Sequence, residues 1–141
     1  RYNDAPPAIA FIKGFQLKSG AFATSVAHDS HNIIAVGTDD NAITSAINMI
    51  VDAGGGMSVV SDDESLILKL PIAGIMSDMP VSGIARSYER LSEKVRSMGC
   101  KMDAPFMTLS FMALLVIPEL KLSDRGLFDG KKFSFVPLFI E

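Results

Sequence analysis

Thr38-Asp39-Asp40 and Gly54-Gly55-Gly56 bracket a run in which Ile43, Ala46, Ile47, Ile50 and Val51 recur at i, i+3, i+4, i+7 and i+8. That spacing is one face of an α-helix. The leading side-chain oxygens supply an N-cap and negative charge where a helix start rewards it. Glycine accepts the left-handed backbone that closes a helix. Ile33 to Val36 before the helix and Met57 to Val60 after it read as short buried strands, so the helix has a sheet to cover. The same order tells against a phosphate loop at the glycines, because such loops follow a strand and open a helix, whereas these close one.

Away from this window, Ile9 to Leu17 reads as a strand, Lys18-Ser19-Gly20 as a hairpin turn, and Ala21 to Ala27 as the partner strand. Ser61-Asp62-Asp63 turns the chain back into Leu66 to Leu70, which ends at Pro71. Asp78 and Pro80 mark a second helix start. Ile84, Tyr88, Leu91, Val95 and Met98 form its inward stripe, Arg86, Glu89, Arg90, Glu93 and Lys94 face water, and Gly99 ends it. Pro105 to Val116 is apolar nearly all round and, if helical, is buried on most sides. Lys121 to Lys132 is a polar excursion, and Phe133 to Phe139 a last strand that Pro137 confines to an edge. Hairpins outnumber strand–helix–strand units. The expected class is α+β: one domain spanning residues 1–141, with a single mixed, mainly antiparallel sheet and about three helices packed largely on one face.

At 141 residues, folding buries about 68% of the unfolded chain's surface, enough for one core. Yet 48% of residues are hydrophobic and the mean hydropathy is +0.31, high for a small domain that needs polar cover. Some apolar surface is therefore expected to meet a partner, a second copy of the chain included. The longest apolar run, Phe111 to Ile117, has seven residues and is closed by Pro118, so no membrane span is expected. A basic segment followed by an apolar one is missing at the start, and Cys100 is the lone cysteine, which excludes an internal disulfide; a reducing, cytoplasmic setting is expected. A net charge of −3 with scattered Lys and Arg tells against nucleic-acid binding. The first residue is Arg1 rather than Met, which raises the expectation of a piece of something longer.

His28-Asp29-Ser30-His31-Asn32 holds the densest chemistry, inserted between two apolar strands. In a strand, positions 28 and 31 point to opposite faces; in a turn they converge. Two imidazoles and one carboxylate still fall short of the three or four ligands that zinc takes. A Ser-His-Asp nucleophile needs side chains that meet in space, which near-adjacent residues seldom do. Two readings stay open. Asp29, Ser30 and Asn32 can build a hydrogen-bonded turn with the histidines satisfying backbone groups, or all five can line a pocket wall completed by another domain. Asp39-Asp40 and Asp62-Asp63-Glu64 read as a helix start and a turn rather than paired catalytic carboxylates, and the methionines from Met76 to Met112 as core filling.

SVAHDSHNIIAVGTDD, the glycine run with its following strand, LPIAGIMSD, PFMTLSFMALLVIPELKLSDRGL and the terminal FVPLF together resemble the C-terminal domain of the bacterial adenine deaminases, in the amidohydrolase superfamily. The likeness runs from about Gly14 to Phe139. It implies an accessory domain of a hydrolase of purine catabolism that converts adenine and water to hypoxanthine and ammonia. The chemistry of that family resides in a preceding barrel with a divalent metal, manganese or iron, whose bound hydroxide attacks the ring carbon bearing the amino group. Such a barrel brings its own His-x-His and at least about 200 residues. None of it maps onto this sequence, so no catalytic, cofactor-binding or metal-ligating residue is carried over, and the chain alone is expected to be inert. The expected partner is the barrel on the same polypeptide, with His28, Asp29, Ser30, His31 and Asn32 as the substrate-proximal candidates. The rival expectation is an independent, non-enzymatic module for small-ligand binding or oligomerisation.

Overall fold

The structure is a computed structural model that describes residues 6–139; residues 1–5 and 140–141, the ends of the expected domain, lie outside the described residues. In chain order the elements are β1 (Ala21–Thr24), β2 (Ile34–Gly37), α1 (Asp40–Asp52), β3 (Gly56–Val60), β4 (Ser65–Lys69), α2 (Val81–Ser97), α3 (Pro105–Phe111), β5 (Leu120–Ser123), β6 (Gly126–Asp129) and β7 (Ser134–Phe135).

β1 and β3 are the inner strands of a four-stranded sheet with strand order β2-β1-β3-β4, every neighbouring pair antiparallel. Because β2 and β3 both run opposite to β1, they run parallel to each other, and α1 is the crossover that joins them. The strands alternate between two buried faces, which is why they read as continuous apolar runs. Small residues, Ala21, Ala23, Ala35 and Ser58, face α1, with Ala46 and Ile50 packed closely against them and the Ser58 hydroxyl donating to the Ala46 carbonyl at 2.7 Å. Large residues, Phe22, Ile34, Val36, Val59 and Leu68, face α2 and α3. There Phe106 lies fully buried between Phe22 and Tyr88, its ring centroid 5.1 and 5.9 Å from theirs. Burying a side chain of this size contributes roughly 1.5–3 kcal/mol.

The α+β class and the antiparallel bias are as the sequence implies, and two of the three helices share a face. The expected single mixed sheet is instead two antiparallel sheets, because β5, β6 and β7 form a separate three-stranded one. Its first hairpin lies in the segment expected to be a polar excursion. Both strands are short, Ser123 and Gly126 close the turn, and Lys121 is buried where an apolar residue is the usual signal. Ile9 to Leu17 is no strand: Gly14 and Gln16 both adopt positive φ, at 104° and 58°, which no ladder accommodates. Lys18 to Gly20 is accordingly a bend into β1, tied by the Lys18 amide to the Met98 carbonyl, and not a hairpin. α3 stops at Phe111, short of Val116. The last strand is present only at Ser134–Phe135, at an edge as Pro137 requires.

Candidate functional site

The His28–Asn32 turn joins β1 to β2, and the pairing register fixes what lies beside it. The C-terminal end of β1, the N-terminal end of β3 and the C-terminal end of β4 fall at the same end of the sheet. The Gly54–Gly56 run and the Pro71–Met79 loop therefore meet the turn there. Ser25 binds the three together. Its buried hydroxyl accepts the Gly56 amide at 2.8 Å and, having one proton to give, donates it to the closer of two carbonyls, that of Gly74. Gly55 makes room for this, since a Cβ there would lie 2.3 Å from the Gly74 Cα and 2.8 Å from the Leu70 carbonyl oxygen. α3 closes the fourth side, with the His28 amide donating to the Ser110 carbonyl at 3.2 Å.

Within the turn, the His31 amide bonds the Ala27 carbonyl at 2.7 Å, and His31 takes a left-handed φ of 49°. Asn32 donates to the Ser30 hydroxyl at 3.1 Å. Half-buried His28 stacks on Phe111, 4.8 Å between centroids, and meets the exposed His31 edge-on at 6.3 Å. The two imidazoles thus converge as a turn permits. Neither imidazole nitrogen bonds another described residue, contrary to the expectation that the histidines satisfy backbone groups. Asp29, Ser30, His31 and Asn32 all lie exposed. The arrangement presents the His31 imidazole and the Asp29 carboxylate outward, beside a half-buried His28. Among the described residues, no three His, Cys, Asp or Glu side chains come together in a way that could hold a metal.

The perturbed acids lie elsewhere. At the opposite end of the sheet Lys94 bonds the Asp63 carboxylate at 2.6 Å, which with Ser61 lowers its pKa to about 2. Glu119, paired with Lys131, and Asp129, bonded by the Lys132 and Lys131 amides, are lowered as well. Asp39 caps α1 by accepting the Ala42 amide at 2.9 Å, the structural role its position implies. Sequence reasoning missed Ser25 and Phe111 as supports of the turn. A serine at the end of an otherwise apolar strand was the available signal for Ser25.

Fold and site define an α+β domain whose exposed polar turn is tied by backbone hydrogen bonds to Ala27 and to Ser110 of α3. A sequence model of the adenine deaminase C-terminal domain matches residues 1–134, and the chain belongs to that family. It is 56% identical over 143 aligned positions to the adenine deaminase of Salinibacter ruber, covering 100% of this chain and 26% of that protein. The adenine deaminase of Sulfurovum sp. is also 56% identical, over 96% of this chain and 26% of its own length. That of Methanosarcina barkeri is 53% identical, over 99% and 25%. The chain spans about a quarter of the length of the curated relatives it matches. Of the stretches on which the resemblance rests, SVAHDSHN, the glycine run, LPIAGIMSD and PFMTLSF meet around Ser25 and His28, whereas LSDRGL and FVPLF belong to the second sheet and the segment after it.

Proposed function

We propose that this chain is the C-terminal accessory domain of an adenine deaminase, in which adenine and water become hypoxanthine and ammonia. It packs on the catalytic barrel of the same polypeptide, and the His28–Asn32 turn shapes or covers the mouth of the site. The observation that carries this reading is the match of nearly the whole chain, at over half identity, to about a quarter of proteins named adenine deaminase. The outward His31 imidazole and Asp29 carboxylate support it, because exposed hydrogen-bonding groups suit contact with a purine edge or an ordered water. Barrel enzymes hold their sites in loops at one end, where a neighbouring domain can serve as a lid.

The divalent metal of such an enzyme, manganese or iron, belongs in this reading to the barrel, which supplies the donors. The described residues of this chain do not bring together the three it requires. His28, Asp29 and His31 act by orienting, hydrogen-bonding and excluding water. A cytoplasmic location accords with the free, buried thiol of Cys100. The test replaces His28 and His31 by Asn in the full-length protein: a fall in kcat/KM for adenine with the metal content unchanged is expected. Unchanged kcat and KM would leave the turn a purely structural element.

A further inference from the structure

A second surface, beside the outer edge of β2, is apolar and open. A groove of about 150 Å³ runs between residues 10–12, the outer edge of β2, the end of α3 and the β5–β6 hairpin. Phe11 on its rim is 82% exposed, and Phe139, 71% exposed, meets it edge-on at 6.4 Å. Leu120 and Ile12 add two more large side chains turned substantially to water. Residues 6–13 make no backbone hydrogen bond to another described residue. Apolar side chains held out in water forgo the gain of burial, and a backbone tied to nothing else leaves its polar groups free to pair with whatever covers the strip.

We infer that this groove is the docking surface for the polypeptide that precedes this domain in its relatives. The inference rests on the reading of the chain as a C-terminal domain, and deepens it by assigning the face. The relatives carry about three quarters of their length outside the matched region, and the groove is lined by the first described residues, where that polypeptide enters. A tethered partner stands at an effective concentration on the order of mM, so it takes the face ahead of a second copy. The lining also says what the covering surface must offer. Lys121 is 7% exposed, and its Nζ donates only to the Pro118 and Leu120 carbonyls, at 3.2 and 3.3 Å, with no carboxylate among the described residues paired to it. The partner surface is therefore apolar, with an acceptor or carboxylate set against Lys121.

Hydroxyl-radical footprinting of the full-length protein reads this directly. Phe11 and Phe139 are expected to react several-fold more slowly than side chains of their exposure should, at all protein concentrations. In the F11S/F139S variant, whose changes lie outside the core, the domain is expected to unfold in a separate, earlier transition. Full reactivity of both rings would overturn the inference, as would protection that disappears with dissociation of an oligomer, which assigns the face to a second copy. Deamination measured on the same sample separates the two readings: an active protein with reactive rings defeats the docking surface alone, and an inactive protein with protected rings defeats the proposed function alone.

Discussion

Replacing Ser25 by Ala removes a side chain that bonds the start of the β1–β2 connection to the glycine run and to the Pro71–Met79 loop. Ser25 is 5% exposed, and its hydroxyl satisfies the buried Gly56 amide and the Gly74 carbonyl. Each bond contributes about 1 kcal/mol net, and the Gly56 amide left buried without a partner adds about 1 kcal/mol more, for a loss of about 2–3 kcal/mol. Gly74 is only half-buried and recovers a water, which keeps the loss from growing further. At about 2.1 cal/mol/K per residue, this chain unfolds with an entropy of about 0.3 kcal/mol/K, so the melting temperature should fall by about 7–10 °C. Urea titration followed by circular dichroism gives the free energy, and amide exchange gives the place: Gly56 should lose protection before the centre of β3. A loss under about 0.5 kcal/mol, the range of an ordinary surface substitution, would refute the clasp.

Gly55→Ala should be more damaging than S25A, because its Cβ would meet backbone at 2.3 Å and at a φ of 132°; we expect more than about 4 kcal/mol or failure to fold, read by the same titration. Phe106→Ala leaves a cavity between Phe22 and Tyr88 and should cost about 3–5 kcal/mol. Asp39→Ala should remove about 1 kcal/mol by uncapping α1, and Asp39→Asn very little of it. The Asp63 carboxylate should titrate near pH 2 by NMR, and Lys94→Met should return it toward 3.8. Since its folded pKa lies below the unfolded value, its contribution is present above pH 3.8 and is lost as the pH falls toward 2; an unchanged midpoint in the Lys94 variant would contradict that cause.

Which parts of this molecule could be read in advance follows from where their signals live. α1 announced itself because cap, stripe and terminator are all local: Asp39 accepts the Ala42 amide, Ala46 and Ile50 face inward, and Gly54 takes a left-handed φ. α2 did so by stripe and terminator, with Leu91, Val95 and Met98 buried along one face and Gly99 at a positive φ, although no side chain caps its start. Ile9 to Leu17 misled because its apolar residues do not fill a sheet. Phe15 enters the core, whereas Phe11 and Ile12 line an open groove. The second sheet was hidden because its strands are short and Lys121 is buried where an apolar residue is the usual signal. At the candidate site, residue types and the turn were legible. The stacking of His28 on Phe111 was not, since it depends on where α3 comes to rest.

The central proposal is that the chain completes another unit's cavity and depends on that unit for the hydrolytic centre. Ammonia release from adenine, measured side by side for the isolated 141-residue chain and the full-length polypeptide, each supplied with manganese or iron, tests it most directly. The account predicts turnover by the full-length protein and none above buffer by the chain alone. Sustained release by the isolated chain at a rate comparable to the full-length protein would contradict it.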